Sequence, residues 1–325
     1  MVIFMERQNS VSVEKALRLS IRNVEQLSTA EKNEYFKVLR EYCHSLGNQY
    51  SQKITLTQRI ISKIGYKLRH FPLEITGIEN IPKGGCLVVC NHSNTHDAFV
   101  MAEALTSAGV PSTFLAAVEG LSSIELGLFK SVRSTMINRA DKNSANAGLY
   151  DFTGKLINGD TGVIFGESTW NLHPYKPMQN IKTGSVKAAA ISGKPIVPMI
   201  MEYVEVPEQC SKEKELYTKC VVVFEKAISV DCQESLIEQT DYLQSVMEKM
   251  RKDIWKKENT YREGIEDINP QTYVNHTWLK KFGSPLFEAD SEKENKMIHI
   301  KPGETLENEW HIDKDGIFKT GIILK

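Results

Sequence analysis

The chain has 325 residues, 41% of them apolar and 25% charged, enough for one large or two modest globular domains. Forty basic against 41 acidic side chains leave a formal charge of −1, which argues against nucleic acid as a partner. The six cysteines, at 43, 86, 90, 210, 220 and 232, form no CxxC pair and read as reduced thiols in a cytosolic setting rather than a disulfide framework.

The opening MVIFMERQNS turns polar too soon for a signal peptide. No apolar run approaches the roughly 18 residues of a spanning helix. The expectation is a soluble or peripheral protein.

Residues 1–70 read as a helical segment. Val13, Leu17, Val24 and Leu27 recur at helical spacing. The stretch 28–47 opens on Ser28 and Glu31 in capping-box spacing and closes on Gly47. A third helix is predicted over 55–69. It sets Ile60, Ile61, Ile64 and Leu68 against Arg59, Lys63, Lys67 and Arg69. Such a helix either packs on the core with a solvated basic face or rests on a membrane surface.

From Pro72 the pattern changes to an α/β domain, expected over 71–260. Two short strands are predicted around the Pro-Lys-Gly-Gly turn at 82–85, the second being the apolar run before Asn91. A helix from 97 to about 107 and strands at 112–118 and 134–138 follow. Next come a helix at 144–157, a strand at 162–165, a helix around SVKAAAI, and strands at 195–200 and 220–225. Residues 233–258 form one amphipathic helix through Leu236, Leu243, Val246, Met247, Met250, Ile254 and Trp255. Alternating strands and helices predict a mostly parallel central sheet flanked by helices. Ligands of such sheets sit at the carboxyl ends of the strands, and His92, Arg139 and Glu167 each follow a predicted strand. Residues 261–325, with short candidate strands in KMIHI and GIFKTGIIL, are expected to form a small β-rich appendage.

The stretch NHSNTHD, 91–97, carries the chemistry. In one continuous helix, His92 and His96 would share a face at i, i+4, as metal ligands do. Ser93, however, stands where the HExxH pattern needs Glu, and no third ligand is evident. In the other geometry His92 ends the strand, Ser93-Asn94-Thr95 turns with Asn94 or Thr95 as N-cap, and the helix begins near His96. Asp97, favoured by the helix dipole, could then fold back onto the imidazole and fix its tautomer. The pair would be either a structural cap or a general base with its orienting carboxylate.

NHSNTHD also resembles the His-x4-Asp motif of the glycerolphosphate and lysophospholipid acyltransferase superfamily, as does the approach ITGIENIPKGGCLVVCNH. The second motif of that family, Gly-x-x-Phe-x-x-Arg, falls on RSTMINR; Arg139 is kept, while Arg133 and Met136 replace Gly and Phe. The third, Phe-Pro-Glu-Gly-Thr-Arg-Ser, falls on FGESTWN. There Glu167 and Thr169 are kept, and Gly166, Ser168 and Trp170 replace Pro, Gly and Arg. The fourth, a Pro-containing strand, is similar to KPIVPMI. The resemblance covers roughly residues 72–230.

It implies acyl transfer from a thioester of coenzyme A or acyl carrier protein to a hydroxyl, with His92 as general base and Asp97 orienting it. It assigns acceptor binding to Arg139, Glu167, Ser168, Thr169 and Trp170, with Lys182 or Lys187 standing in for the missing motif-three arginine. No metal or redox cofactor is implied, and Cys90 is a strand residue rather than a nucleophile. Arg139 favours a phosphate-bearing acceptor such as a lysophospholipid, whereas Trp170 suits a glycan or other neutral acceptor. An acyl-binding protein without turnover and a thioesterase are the other readings.

Overall fold

The computed structural model describes residues 12–46, 54–68, 71–94, 96–118, 127, 129–130, 132–138, 142–168, 171, 177–205, 217–258, 310–312 and 318–320. Three helices open the chain: α1 (Val13–Arg18), α2 (Ile21–Glu25) and α3 (Thr29–Leu46). The capping box before α3 is formed. The Ser28 backbone N–H donates to Glu31 Oε2 at 2.9 Å, and the Glu31 N–H donates to Ser28 Oγ at 3.4 Å. Gly47, the expected stop, lies outside the described residues.

The next elements are α4 (Leu56–Leu68), β1 (Leu73–Thr76), a 3-10 turn (Ile78–Asn80), β2 (Leu87–Cys90), α5 (Asp97–Ser107), β3 (Ser112–Ala117) and β4 (Thr135–Ile137). Then follow α6 (Lys142–Ile157), β5 (Thr161–Phe165), α7 (Gly184–Ser192), β6 (Ile196–Glu205), β7 (Tyr217–Phe224) and α8 (Leu236–Lys257). Strand β6 runs five residues beyond its predicted end, because inward residues continue to alternate through Met201 and Tyr203. A separate antiparallel pair, β8 (Trp310–Ile312) and β9 (Phe318–Thr320), falls in the expected appendage; KMIHI lies outside the described residues.

The seven-stranded sheet has the order β1-β7-β6-β2-β5-β3-β4. Every neighbouring pair is parallel except β6–β7. β1 and β2 flank one turn in sequence, yet β7 and β6 lie between them in the sheet. Strand β2 sits centrally and is buried at every position, as a continuous Leu-Val-Val-Cys run requires.

Alternate residues of β2 face two apolar layers. Leu87 and Val89 join Tyr35 and Leu39 of α3, Tyr150 of α6, Ile191 of α7 and Leu243 and Met247 of α8. Val88 and Cys90 join Val100 and Met101 of α5, together with Met199, Met201 and Tyr203 of β6. The N-terminal helices therefore share a core with the sheet.

Helix α4 packs against α5, with Ile61 buried and Gln58 Nε2 donating to the Ser112 carbonyl. Gly65 makes the close crossing possible: a Cβ there would stand 3.2 Å from Phe99 Cβ. Three other apolar residues of α4 are not covered. Leu56, Ile60 and Ile64 are 74%, 47% and 42% exposed, beside exposed Arg59, Lys63 and Lys67.

Candidate active site

The second of the two sequence geometries is present. β2 ends at Cys90, the chain turns through 91–94, and α5 begins at Asp97 with His96 as its N-cap. His92 and His96 thus do not share a helical face. His96 instead packs edge-on against Phe71, with ring centroids 5.8 Å apart. Among the described residues, no three His, Cys, Asp or Glu side chains are grouped as metal ligands would be.

The N-cap expectation needs correction. His96 makes no side-chain cap bond. Asn94 instead organises the turn, its Oδ1 accepting the His96 backbone N–H at 3.0 Å. Thr95 lies outside the described residues.

Asn91 sets the position of the turn. Its side-chain amide donates to the Met201 carbonyl at 2.9 Å and accepts the Met201 N–H at 2.8 Å. One buried side chain thereby continues the β2–β6 ladder past the end of β2. His92 follows immediately, at the carboxyl edge of the parallel strands.

Asp97 is fully buried, and its carboxylate is saturated. Oδ2 meets His92 Nδ1 at 2.7 Å and accepts the backbone N–H groups of Ser93 at 2.7 Å and Asn94 at 2.9 Å. Oδ1 accepts the Tyr203 hydroxyl at 2.7 Å. An ionised carboxylate only accepts, so the imidazole proton lies on Nδ1 and Nε2 is the basic nitrogen. The ring stacks on Phe165, 4.2 Å away and tilted 22°, which limits its rotation.

The His92 backbone is clamped at both ends. Its N–H donates to Glu167 Oε2 at 2.7 Å, and its carbonyl accepts the Asn171 N–H at 2.6 Å. The other Glu167 oxygen accepts the Gln179 N–H at 2.6 Å. Burial pushes the Glu167 carboxyl up to about 7, against the two N–H donors and the Arg251 charge, which pull it down. Arg251 forms a buried ion pair with Glu202 at 2.7 Å and donates to the Pro177 carbonyl, two residues from Gln179. Glu167 therefore spends both oxygens on backbone N–H groups, one of His92 and one of Gln179.

The other sequence candidates are distributed differently. Ser168 adopts the left-handed conformation, φ 56°, and Arg133 does so at φ 63°. Both stand where the resembled motifs have glycine, which explains why those positions call for it. Arg133 also pairs with Asp160 at 3.1 Å. The Lys182 N–H donates to the Gly166 carbonyl at 3.0 Å, so its half-buried side chain starts beside the Glu167 turn. Lys187 is buried against Tyr150, its Nζ 2.9 Å from the hydroxyl, and burial pushes it down to about 8. It is a core cation in this structure, not an exposed phosphate ligand. Arg139, Thr169 and Trp170 lie outside the described residues. The Cys90 thiol is fully buried, and burial drives it well above its usual range, which makes it a poor nucleophile.

Tyr203, Asn91, Asn171 and Gln179 did not figure among the sequence candidates. Asn91 adjoins the motif and could have been singled out as a polar residue ending a buried run. The other three carry no local signal.

A histidine oriented by a buried carboxylate at the carboxyl edge of a mostly parallel sheet has the geometry a general base requires. Residues 72–202 match the family model described as Acyltransferase. The chain is 26% identical over 180 residues to the "Probable 1-acyl-sn-glycerol-3-phosphate acyltransferase" of Mycoplasma pneumoniae; the match covers 53% of this chain and 66% of that relative, just under two thirds of its length. The crystal structure of the 1-acyl-sn-glycerophosphate (LPA) acyltransferase PlsC from Thermotoga maritima aligns with a TM-score of 0.45 at 18% identity, over 72% of this chain and 86% of that one.

Proposed function

We propose that this chain transfers an acyl group from an acyl thioester, on coenzyme A or acyl carrier protein, to a hydroxyl of a lysophospholipid or glycerolphosphate-like acceptor. The observation that carries the reading is the 2.7 Å contact between His92 Nδ1 and the buried Asp97 carboxylate, in a segment that matches the Acyltransferase family model. His92 Nε2 accepts the acceptor's hydroxyl proton as the oxygen attacks the thioester carbonyl. Asp97 stabilises the imidazolium. The tetrahedral intermediate collapses, the C–S bond breaks, and the proton passes to the departing thiolate. The product ester forms without an acyl-enzyme, consistent with the inaccessible Cys90 thiol.

A phosphate-bearing acceptor is supported by the name of the Mycoplasma relative and by the retained Arg139. The neutral-acceptor reading rests on Trp170, at the position of the motif-three arginine. The membrane surface is the natural source of a lysolipid. Helix α4 offers it exposed Leu56, Ile60 and Ile64 flanked by Arg59, Lys63 and Lys67, a pattern suited to anionic headgroups.

The test is thiol release from acyl-CoA, or from acyl carrier protein, in the presence of lysophosphatidic acid or a neutral long-chain alcohol. Acceptor-dependent release, lost by roughly 10²–10⁴ in His92→Ala and much less affected in His96→Ala, is the expected result. Release without acceptor would mean hydrolysis, and acyl binding without release would mean a carrier. Activity on the alcohol alone, sensitive to Trp170→Ala and not to Arg139→Ala, would replace the phosphate acceptor with a neutral one.

A further inference from the structure

We infer that Tyr203 is a positioning residue for the His92–Asp97 pair: its hydroxyl, held against Asp97 Oδ1, sets how strongly that carboxylate grips the imidazole. The inference rests on the acyl-transfer reading above for its kinetic consequence, but not for the coupling itself. The Tyr203 hydroxyl stands 2.7 Å from Asp97 Oδ1, and both residues are buried. Tyr203 lies on the β6 face that carries Met199 and Met201, opposite the face that carries Glu202. Its ring is fixed by Phe71, edge-on at 5.7 Å and 85°, so the hydroxyl is aimed by packing.

The geometry divides the carboxylate's work. Oδ2 serves His92 and the two backbone donors of the turn, while Tyr203 is the hydrogen-bond donor on Oδ1. A phenol donating to a buried carboxylate withdraws negative charge from it, and the carboxylate then stabilises the imidazolium less. Tyr203 therefore tempers the attraction between the Asp97 carboxylate and the imidazole.

Other ionisable groups lie around the site: Cys90 at the end of β2, His96 in the same turn and Glu167 after β5, on which Arg251 of α8 acts in turn; Glu202, the partner of Arg251, is on the opposite face of β6. A Tyr203→Phe substitution leaves all of them in place and removes the oxygen that meets Asp97 Oδ1.

The experiment compares wild type, Tyr203→Phe and Phe71→Leu by two readouts. One is the ¹⁵N-histidine NMR titration of the His92 imidazole, assigned with His92→Ala. The other is the pH profile of kcat/KM. In Tyr203→Phe the titration midpoint and the acidic limb of the profile should both move to higher pH, by on the order of half a unit, with kcat/KM near pH 6 falling a few-fold. Phe71→Leu keeps the hydroxyl and only loosens the packing that aims it, so its shift should be clearly smaller than that of Tyr203→Phe. A midpoint in Tyr203→Phe within about 0.1 unit of wild type, a downward movement, or an equal shift in Phe71→Leu would each overturn the inference. If no acyl transfer is found with any substrate, the NMR titration still decides the coupling, so failure of the functional reading and failure of this one are separable.

Discussion

Replacing Asp97 by Asn separates charge from geometry at the centre of the site. The Oδ2 position receives three donors, so the amide oxygen should settle there. The amide nitrogen would then face Tyr203, whose hydroxyl can turn from donor to acceptor. The shape is kept and the negative charge is lost. An imidazolium and a carboxylate with charge centres roughly 4 Å apart attract by about 4 kcal/mol at an effective dielectric of about 20. At 1.36 kcal/mol per decade, kcat/KM should fall about 10³-fold, while thermal stability changes by less than ~1 kcal/mol. Asp97→Ala should be worse in stability, because it leaves the Ser93 and Asn94 N–H groups and the Tyr203 hydroxyl in a buried site without their acceptor, at about 1–3 kcal/mol for each group. The assay is initial-rate thiol release from acyl-CoA with a lysolipid acceptor, alongside thermal unfolding. A folded Asp97→Asn protein within threefold of wild type, on the order of 0.7 kcal/mol, would refute the claim that this carboxylate stabilises a cationic base.

Glu167 predicts a pH dependence of stability. Its carboxyl ionises near 4.5 in the unfolded chain and near 7 in the folded one, so between those values the folded state holds a proton that the unfolded state does not. The contribution is present below pH 4.5 and is lost as pH rises through 7; at 1.36 kcal/mol per unit it amounts to ~3 kcal/mol. Denaturant titrations should show Glu167→Gln losing this slope, at the cost of one of the two N–H contacts; an unchanged slope would remove Glu167 as its source. At Ser168, φ 56°, Gly should be neutral or stabilising, and Val should be at least ~1–2 kcal/mol less stable than Gly by thermal melting. Ile60→Asp and Ile64→Asp should weaken binding to anionic vesicles with little change in melting temperature, and wild-type binding should fall as salt rises. Ile61→Asp, on the buried face of the same helix, should unfold the protein instead.

What the sequence determined by itself was local. The apolar run of β2, the break at Asn91-His92 and the start of a helix at Asp97 follow from burial, turn chemistry and the helix dipole, which act over a few residues. The five-residue separation of His92 and Asp97 makes their contact a property of one turn, which is why the pair was legible before any fold was known. The periodicities of α3, α4 and α8 likewise declare their own apolar faces. Tertiary structure alone decided which strands became neighbours. β1 and β2 are parted by two strands that come more than a hundred residues later, and nothing in a local pattern encodes that order. The contacts that depend on it were therefore hidden: Glu167 on the His92 backbone across 75 residues, Asn91 on Met201 across 110, and Tyr203 on Asp97 across 106. The same physics explains the lysines. A lysine one turn into an Ala-rich helix reads like any exposed cation, and only the packing of α3 and α6 over α7 buries Lys187 against Tyr150. Chemistry carried within one turn is written in residue types, whereas the support that holds it in place is made by strands brought together from distant parts of the chain.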